Sequence, residues 1–347
     1  MPFFSVIVPV YNVAPWLREC LDSILAQTFA DWECVCVDDG STDGSGAILD
    51  EYASKDARFR VIHQTNKGVS AARNRALDAI QGTFFLFVDG DDAIVPDSLD
   101  CFEKALRETE SDALLSHPYH AFLSRKEWEK PNTGFEILSS NVQPLKILAG
   151  RFQANGYVMS RVFRRSVFGS VRFPAGVAMA EDVRFQSDCL CLAAKWTVIR
   201  KDYYYYRIGR PGAATKGSST QMCLENVDAL AYVVRNMRTR MKASDENVRA
   251  YVRRFGGMYR RHLTLVFRQW RELPFEDRSR TIDCVRRCRD AVGGWPFRFS
   301  DRLRLLFWEA RLREAPFLLL AFSDRAADSI SRRTKKLFKR HNFRNMK

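Results

Sequence analysis

Asp89, Gly90 and Asp91 set two carboxylates one residue apart, directly after the apolar run 84–88. Such a pair can face one cavity. Hard carboxylate oxygens at this spacing suit Mg²⁺ or Mn²⁺, which typically take one or two carboxylates and complete their shell with substrate phosphates. Gly90, lacking a Cβ, would let the backbone come close to a ligand. The plainer alternative is a solvated turn, since Asp and Gly are common turn residues. A second acidic cluster, Asp38-Asp39-Gly40-Ser41-Thr42-Asp43, also follows an apolar run. Asp39 is placed there to accept a hydrogen bond from a nucleobase N–H or from a ribose hydroxyl. In the alternative reading the cluster is a strand-to-helix turn in which Asp43 or Ser45 caps the next helix. It lacks the spacing and the terminal Glu of an EF-hand calcium loop.

The elements that would aim these groups alternate along the chain. Residues 4–10, 32–37, 59–62 and 84–88 read as short buried strands. Residues 15–25, 45–54 and 68–80 carry apolar positions at helical spacing. Strand–helix alternation with such short links implies right-handed crossovers and a parallel sheet. The polar clusters at 9–12, 38–41 and 89–92 all follow the carboxyl ends of strands, which is the edge where open α/β sheets bind ligands. No G-x-x-x-x-G-K-[ST], G-x-G-x-x-G or G-x-S-x-G occurs, so a P-loop NTPase, a usual dinucleotide fold and an α/β-hydrolase are all unsupported. From about residue 220 the pattern is helical, with periodic stretches at 224–241 and 248–270.

With 347 residues, 46% hydrophobic and 28% charged, the chain is neither disordered nor collagen-like nor a disulfide miniprotein. No apolar run approaches the ~20 residues of a membrane helix. The opening residues read as a strand rather than a leader, and the expected location is cytoplasmic. The nine cysteines form no metal-binding pattern and are expected to be reduced, mostly buried thiols. The net charge of +14 is uneven. Residues 1–220 hold 25 basic and 27 acidic side chains, whereas residues 221–347 hold 30 and 14. The excess peaks at 332–347, with eight Lys/Arg and no Asp/Glu. Three readings of 331–347 stand: a solvated terminus, an anchor on an anionic membrane surface, and nucleic-acid contact by arginine-rich helices that also carry Trp270, Trp295 and Trp308.

The order of the motifs adds a further signal. V-I-V-P-V-Y-N (6–12), Q-T-F-A-D-W-E (27–33), V-D-D-G-S-T-D (37–43), N-K-G-V-S-A-A-R-N (66–74) and F-V-D-G-D-D (87–92) follow one another. This succession resembles the inverting GT-A glycosyltransferases of family 2, the nucleotide-diphospho-sugar transferases. A-E-D-V-R-F (180–185) is similar to the family's E-D motif, and Y-Y-Y-R-I-G-R-P-G (204–212) to its closing Y-R motif. The likeness is dense over 3–100, thins across 115–175 and ends near 220.

The resemblance implies an α/β fold with a Rossmann-like central mixed sheet flanked by helices. A catalytic domain would span 1–217, with a nucleotide-sugar half at 1–100 and an acceptor half at 101–217. A helical, basic region would follow at 218–347. Pro9, Tyr11 and Asp39 would line the nucleobase pocket, with Asp39 on the uracil N–H. Arg73 would lie near the phosphates or ribose. Asp89 would approach ribose and metal, with Gly90 beside it, and Asp91 would bind Mn²⁺ or Mg²⁺ directly. Asp182 would be the catalytic base, with Glu181 adjacent. Arg207 or Arg210 would reach the diphosphate. Many relatives carry a histidine in that loop where this chain has Gly209 or Arg210, which leaves the third metal contact open. The implied reaction moves a sugar from a UDP-sugar to a hydroxyl of a glycan or lipid-linked glycan with inversion. A bacterial-type surface-polysaccharide enzyme, peripheral on the inner face of the cell membrane, would fit this reading. The alternative is a non-catalytic nucleotide-sugar-binding or nucleic-acid-binding protein on the same scaffold, with nucleic acid the less favoured partner.

Overall fold

The computed structural model describes residues 1–117, 120–122, 135–148, 158–177, 179–192, 194–201, 203–208, 219–268 and 273–292. The chain divides into two compact units, Met1–Gly217 with Tyr232–Arg254, and Ser218–Ala231 with Phe255–Lys347.

The first unit opens with β1 (Phe4–Val10), α1 (Ala14–Leu25), β2 (Trp32–Asp38), α2 (Ser45–Lys55), β3 (Phe59–His63), α3 (Val69–Ala79) and β4 (Phe84–Phe87). Each lies within about two residues of its sequence-predicted bounds. β1 pairs in parallel with β2, from Phe4↔Trp32 to Val10↔Asp38, and with β4, from Phe4↔Phe84 to Ile7↔Phe87. Strand order β3-β2-β1-β4 therefore brings the carboxyl ends of β1, β2 and β4 to one edge. β2 is buried throughout and β1 nearly so. That is why these strands are continuous apolar runs rather than alternating ones.

Beyond β4 the sheet becomes mixed. The chain continues through β5 (Ala93–Ile94), α4 (Ser98–Thr109), β6 (Ala113–His117), β7 (His120–Phe122), β8 (Glu136–Ser139), α5 (Pro144–Leu148), β9 (Arg161–Arg164) and α6 (Arg165–Phe168). It then forms α7 (Glu181–Leu190), β10 (Trp196–Arg200) and β11 (Tyr204–Arg207). β9 inserts antiparallel to both β4 and β6, giving an eight-stranded order β3-β2-β1-β4-β9-β6-β10-β8. A separate three-stranded sheet, β5-β11-β7, lays β11 antiparallel against β5. The interior is aromatic: Phe85, Phe87, Phe163, Phe173 and Phe185 pack ring on ring, with Phe173 stacked on Phe185 at 4.1 Å between centroids. All nine cysteines are free, and eight of them are buried.

The helices α8 (Thr220–Thr239), α9 (Asp245–Arg268) and α10 (Phe275–Val292) follow. Within the first unit, Asp188 on α7 accepts from Tyr232 Oη at 2.7 Å, Asn236 Nδ2 at 3.0 Å and Arg240 Nη1 at 2.6 Å. Within the second, Arg287 pairs with Asp228 at 2.8 Å. No described helix is long and apolar enough to cross a membrane.

Glu33 locks the start of this sheet. Its carboxylate accepts from Ser5 Oγ at 2.6 Å, from the Gly82 amide at 3.1 Å and from Arg60 Nη1 at 2.7 Å. Burial alone would raise this carboxyl, but bonds from Ser5, the Gln81 amide and Arg60 outweigh burial and hold it below the ordinary range. Glu33→Gln is expected to cost about 2–4 kcal/mol near neutral pH, because it leaves buried donors poorly matched. A depressed folded-state pKa gives stability that is present above the unfolded value of about 4.3 and lost as pH falls through the folded value. The gap between variant and wild type in urea titrations should therefore narrow below about pH 4.

Candidate active site

The acidic edge is assembled from four turns. After β1, Pro9 is half-buried and Tyr11 stands 50% exposed. Asn12, in the left-handed region at φ 50°, accepts from the Thr42 amide at 2.8 Å and donates its own amide to Ser41 Oγ at 3.1 Å. Asp43 accepts from the Ala14 amide at 2.9 Å and from the Ser45 amide at 3.0 Å, so one carboxylate serves the first turns of both α1 and α2. The N-cap of α2 is Gly44, in the left-handed region, rather than Asp43 or Ser45; Asp43 acts from the residue before it, and Ser45 Oγ accepts from the Val13 amide at 3.0 Å.

Asp39 is 2% exposed. Its Oδ1 accepts from Gln64 Nε2 at 2.7 Å and from the Lys67 amide at 2.9 Å, and its Oδ2 accepts from the Gly68 amide at 2.8 Å. Asp39 therefore holds the loop that enters α3, a task the sequence did not reveal. Gly40 next to it has φ +76°, and a Cβ there would come within 2.8 Å of the Asn66 amide nitrogen. The turn tolerates only glycine at that position.

Five residues beyond Gly68, α3 supplies Arg73, 4% exposed. Its guanidinium forks, with Nη2 at 3.0 Å from Asp89 and Nη1 at 2.9 Å from Glu181, while its plane lies 5.2 Å from the Phe173 ring. Arg73 was expected beside phosphates or ribose. The structure shows it bridging the turn after β4 to the first turn of α7. Phe185, buried one turn below Glu181, fastens that helix to the aromatic interior. Asp182 Oδ1 accepts from the Val183 amide at 2.8 Å. Burial, then the Glu181 charge, push the Asp182 carboxyl up to about 7; Arg73 and the Val183 amide pull it down, and Asp89 adds to the rise. Arg161, at the β9 end of the same edge, is also buried and electrostatically coupled to Asp182.

In the 89–92 turn, Gly90 is buried, and a Cβ there would meet Val13 at 3.2 Å and the Pro9 carbonyl at 3.3 Å. The space its missing side chain leaves is taken by Val13 and the end of β1, a packing reason for glycine that the sequence did not reveal. Asp92 is 1% exposed, and its carboxyl is pushed up to about 8 by burial and by the charges of Asp91 and Asp89. Tyr204 Oη donates to Asp92 Oδ2 at 2.7 Å. The Arg207 amide donates to Asp92 Oδ1 at 2.8 Å. Arg207 Nε reaches the Asp91 carbonyl at 3.0 Å, and Nη2 pairs with Glu19 at 2.6 Å. Arg207 is thus engaged with the turn itself, whereas it was expected to reach a diphosphate. Arg210 and Gly209 lie outside the described residues. Asp92, Tyr204 and Glu19 were not singled out from sequence.

Three acidic residues in four positions, one of them driven toward its neutral form, mark a local excess of negative charge that a divalent cation would relieve. Among the described residues no three His, Cys, Asp or Glu side chains form a ready metal cage. The donor set therefore fits a hard cation that takes one or two carboxylates and completes its shell from phosphate and water.

A profile of glycosyl transferase family 2 matches residues 5–171. An uncharacterized glycosyltransferase of Haemophilus influenzae is 33% identical over 193 residues, 55% of this chain and 72% of that protein. The chain belongs to glycosyl transferase family 2. EpsJ of Bacillus subtilis, an uncharacterized glycosyltransferase, is 33% identical over 211 residues, 60% of this chain. The chain spans 61% of EpsJ's length. Among solved structures, residues 1–349 of Staphylococcus aureus TarS in complex with UDP-GlcNAc match with a TM-score of 0.67 at 24% identity, over 88% of this chain and 84% of that one. The fold of this family 2 member is accordingly that of the GT-A glycosyltransferases.

Arg73→Met should leave Asp89 and Glu181 as poorly compensated, partly buried charges and lower the unfolding free energy by about 2–4 kcal/mol. Arg73→Lys should recover only part of that, since an ammonium cannot reproduce the fork. Chemical denaturation of the two variants beside wild type checks both.

Proposed function

We propose that this family 2 chain is an inverting glycosyltransferase that moves a sugar from a UDP-sugar to a hydroxyl of a glycan or lipid-linked glycan, in bacterial-type surface-polysaccharide synthesis. One observation carries the reading. The Arg73 fork joins Asp89 to Glu181 and so brings the acidic turn after β4 and the Asp182 turn together at the ligand-binding edge. The UDP-GlcNAc bound by TarS, on the same fold, supports UDP as the nucleotide.

In this reading Asp91, with Asp89, holds Mn²⁺ or Mg²⁺, and the ion supplies positive charge against the diphosphate. Tyr11, exposed beyond β1, and Pro9 offer the nucleobase a flat apolar surface. Asp39 fixes the wall of that pocket through the 64–68 loop and keeps acceptor capacity for the base. Asp182 takes the proton of the acceptor hydroxyl as its oxygen bonds to the anomeric carbon. The bond from that carbon to the diphosphate oxygen breaks in the same step, its electron pair leaves with UDP, and single displacement inverts the configuration. A positioned carboxylate base contributes about 10²–10⁴-fold. Glu181, tied to Arg73, sets the orientation of that helical turn. The segment 331–347 lies outside the described residues; its charge supports contact with an anionic membrane surface on the cytoplasmic side.

Asp182→Asn is expected to keep UDP binding and to lose transfer by 10²-fold or more, read by UDP release with an acceptor-bearing extract against calorimetric UDP binding. Near-wild-type turnover would overturn the base assignment. Asp91→Ala should abolish the part of UDP-sugar binding that depends on Mn²⁺, read by thermal shift with and without chelator. The base works deprotonated, and its carboxyl sits near 7 among Glu181, Arg73, Asp89 and Arg161. Donor-saturated transfer should therefore rise about tenfold per pH unit below 7 and level off above it.

A further inference from the structure

The turn that carries Asp91 is held by Arg73 and Cys20 at Asp89 and, across its other residues, by a strand from more than a hundred residues later in the chain. The Asp89 amide donates to Tyr204 Oη at 3.1 Å, and the same hydroxyl donates to Asp92 Oδ2 at 2.7 Å. The Arg207 amide takes the other Asp92 oxygen, and Arg207 Nε takes the Asp91 carbonyl. β11 also pairs with β5 immediately after the turn, at Tyr204↔Ile94 and Tyr205↔Ala93. None of these bonds uses the Asp91 carboxylate. What they fix is the backbone on either side of it, so contacts to β11 bear on the direction in which the turn presents Asp91.

We infer that Tyr204 is a positioning residue whose hydroxyl, with Asp92 as its acceptor, holds the 89–92 turn in the geometry that binds the cation of a UDP-sugar complex. The inference rests on the donor-site reading above. Tyr204 is 2% and Asp92 1% exposed, so neither touches a ligand in bulk solvent, and both act through the turn. A phenyl ring in place of Tyr204 would fill the same space but would leave the Asp89 amide and Asp92 Oδ2 without their common partner. A buried donor and acceptor so stranded re-pair by moving the backbone that bears them, and that backbone carries Asp91. A cation site responds to such a shift more sharply than a nucleobase pocket, because its donor distances are held within a few tenths of an ångström. The base pocket is built on β1, β2 and the 64–68 loop, which Tyr204 does not contact among the described bonds.

The test is Tyr204→Phe, with UDP binding followed by calorimetry as Mn²⁺ is titrated. Expected is a tenfold or greater rise in the half-saturating Mn²⁺ concentration, with UDP affinity at saturating Mn²⁺ within twofold of wild type. A tyrosine that only packs would lower the thermal midpoint and leave the Mn²⁺ dependence where it was; that result overturns the inference. Should Tyr204→Phe fail to fold, Asp92→Asn is read the same way. Its carboxamide keeps an acceptor for the Arg207 amide but presents a donor where Tyr204 needs an acceptor. A threefold or greater rise in half-saturating Mn²⁺ supports the role, and an unchanged value overturns it. A wild-type protein that binds no UDP at any Mn²⁺ concentration overturns the donor-site reading and the inference with it, whereas binding by wild type matched by both variants overturns the inference alone.

Discussion

Between α3 and the two acidic turns, the Arg73 guanidinium sets the charge balance on which the edge depends. Asp89, Asp91, Asp92, Glu181 and Asp182 gather where three parallel strands end, and mutual repulsion would spread them apart. A planar cation with two parallel donors can satisfy carboxylates from two different elements at once, which an ammonium does poorly. Its own desolvation is offset by Asp89 and Glu181, so Arg73 stays firmly charged. Asp182 and Asp92, which do not receive the fork, are instead driven toward their neutral forms. Within one set of like charges, two carboxyls are thus shifted upward by burial and by their neighbours.

Much of this was legible in the chain. The first four strands and three helices announce themselves through unbroken apolar runs, helical periodicity and short links, which imply a parallel sheet with right-handed crossovers, whereas the return of β4 to the far side of β1 is seen only in the structure. The acidic clusters fall at the carboxyl ends of strands because that is where the apolar runs stop, so Asp39, Asp89 and Asp91 were readable as site candidates. Asp182 could be reached only through its likeness to a family motif, since a carboxylate in the first helical turn is also an ordinary capping choice.

Other features were hidden for physical reasons. Asp92 reads as one more turn acid, and its partner Tyr204 lies 112 residues away, beyond the range of any local pattern. β9 has only four residues, Arg161–Arg164, too few to show a period, so its antiparallel insertion between β4 and β6 carries no sequence signature. Asp39 and Gly90 were assigned to the ligand, yet much of what they do is internal: Asp39 secures a loop through three donors, and Gly90 makes room for the end of β1. Polar and small residues in such turns serve the scaffold first, and their spacing alone does not separate that service from contact with substrate.

The attachment of Asp188 to Tyr232, Asn236 and Arg240 bears on where this protein can be cut. Motif likeness fades near residue 220, which invites expression of a shortened fragment ending there. Such a fragment would strip all three donors from the far end of the helix that begins with Glu181 and Asp182. It would also uncover the face of α7 that Tyr232 and Asn236 shelter. The first compact unit includes Tyr232–Arg254, so a nick between 217 and 232 should leave its two pieces associated, whereas removal of the later piece would loosen the helix that bears the candidate base.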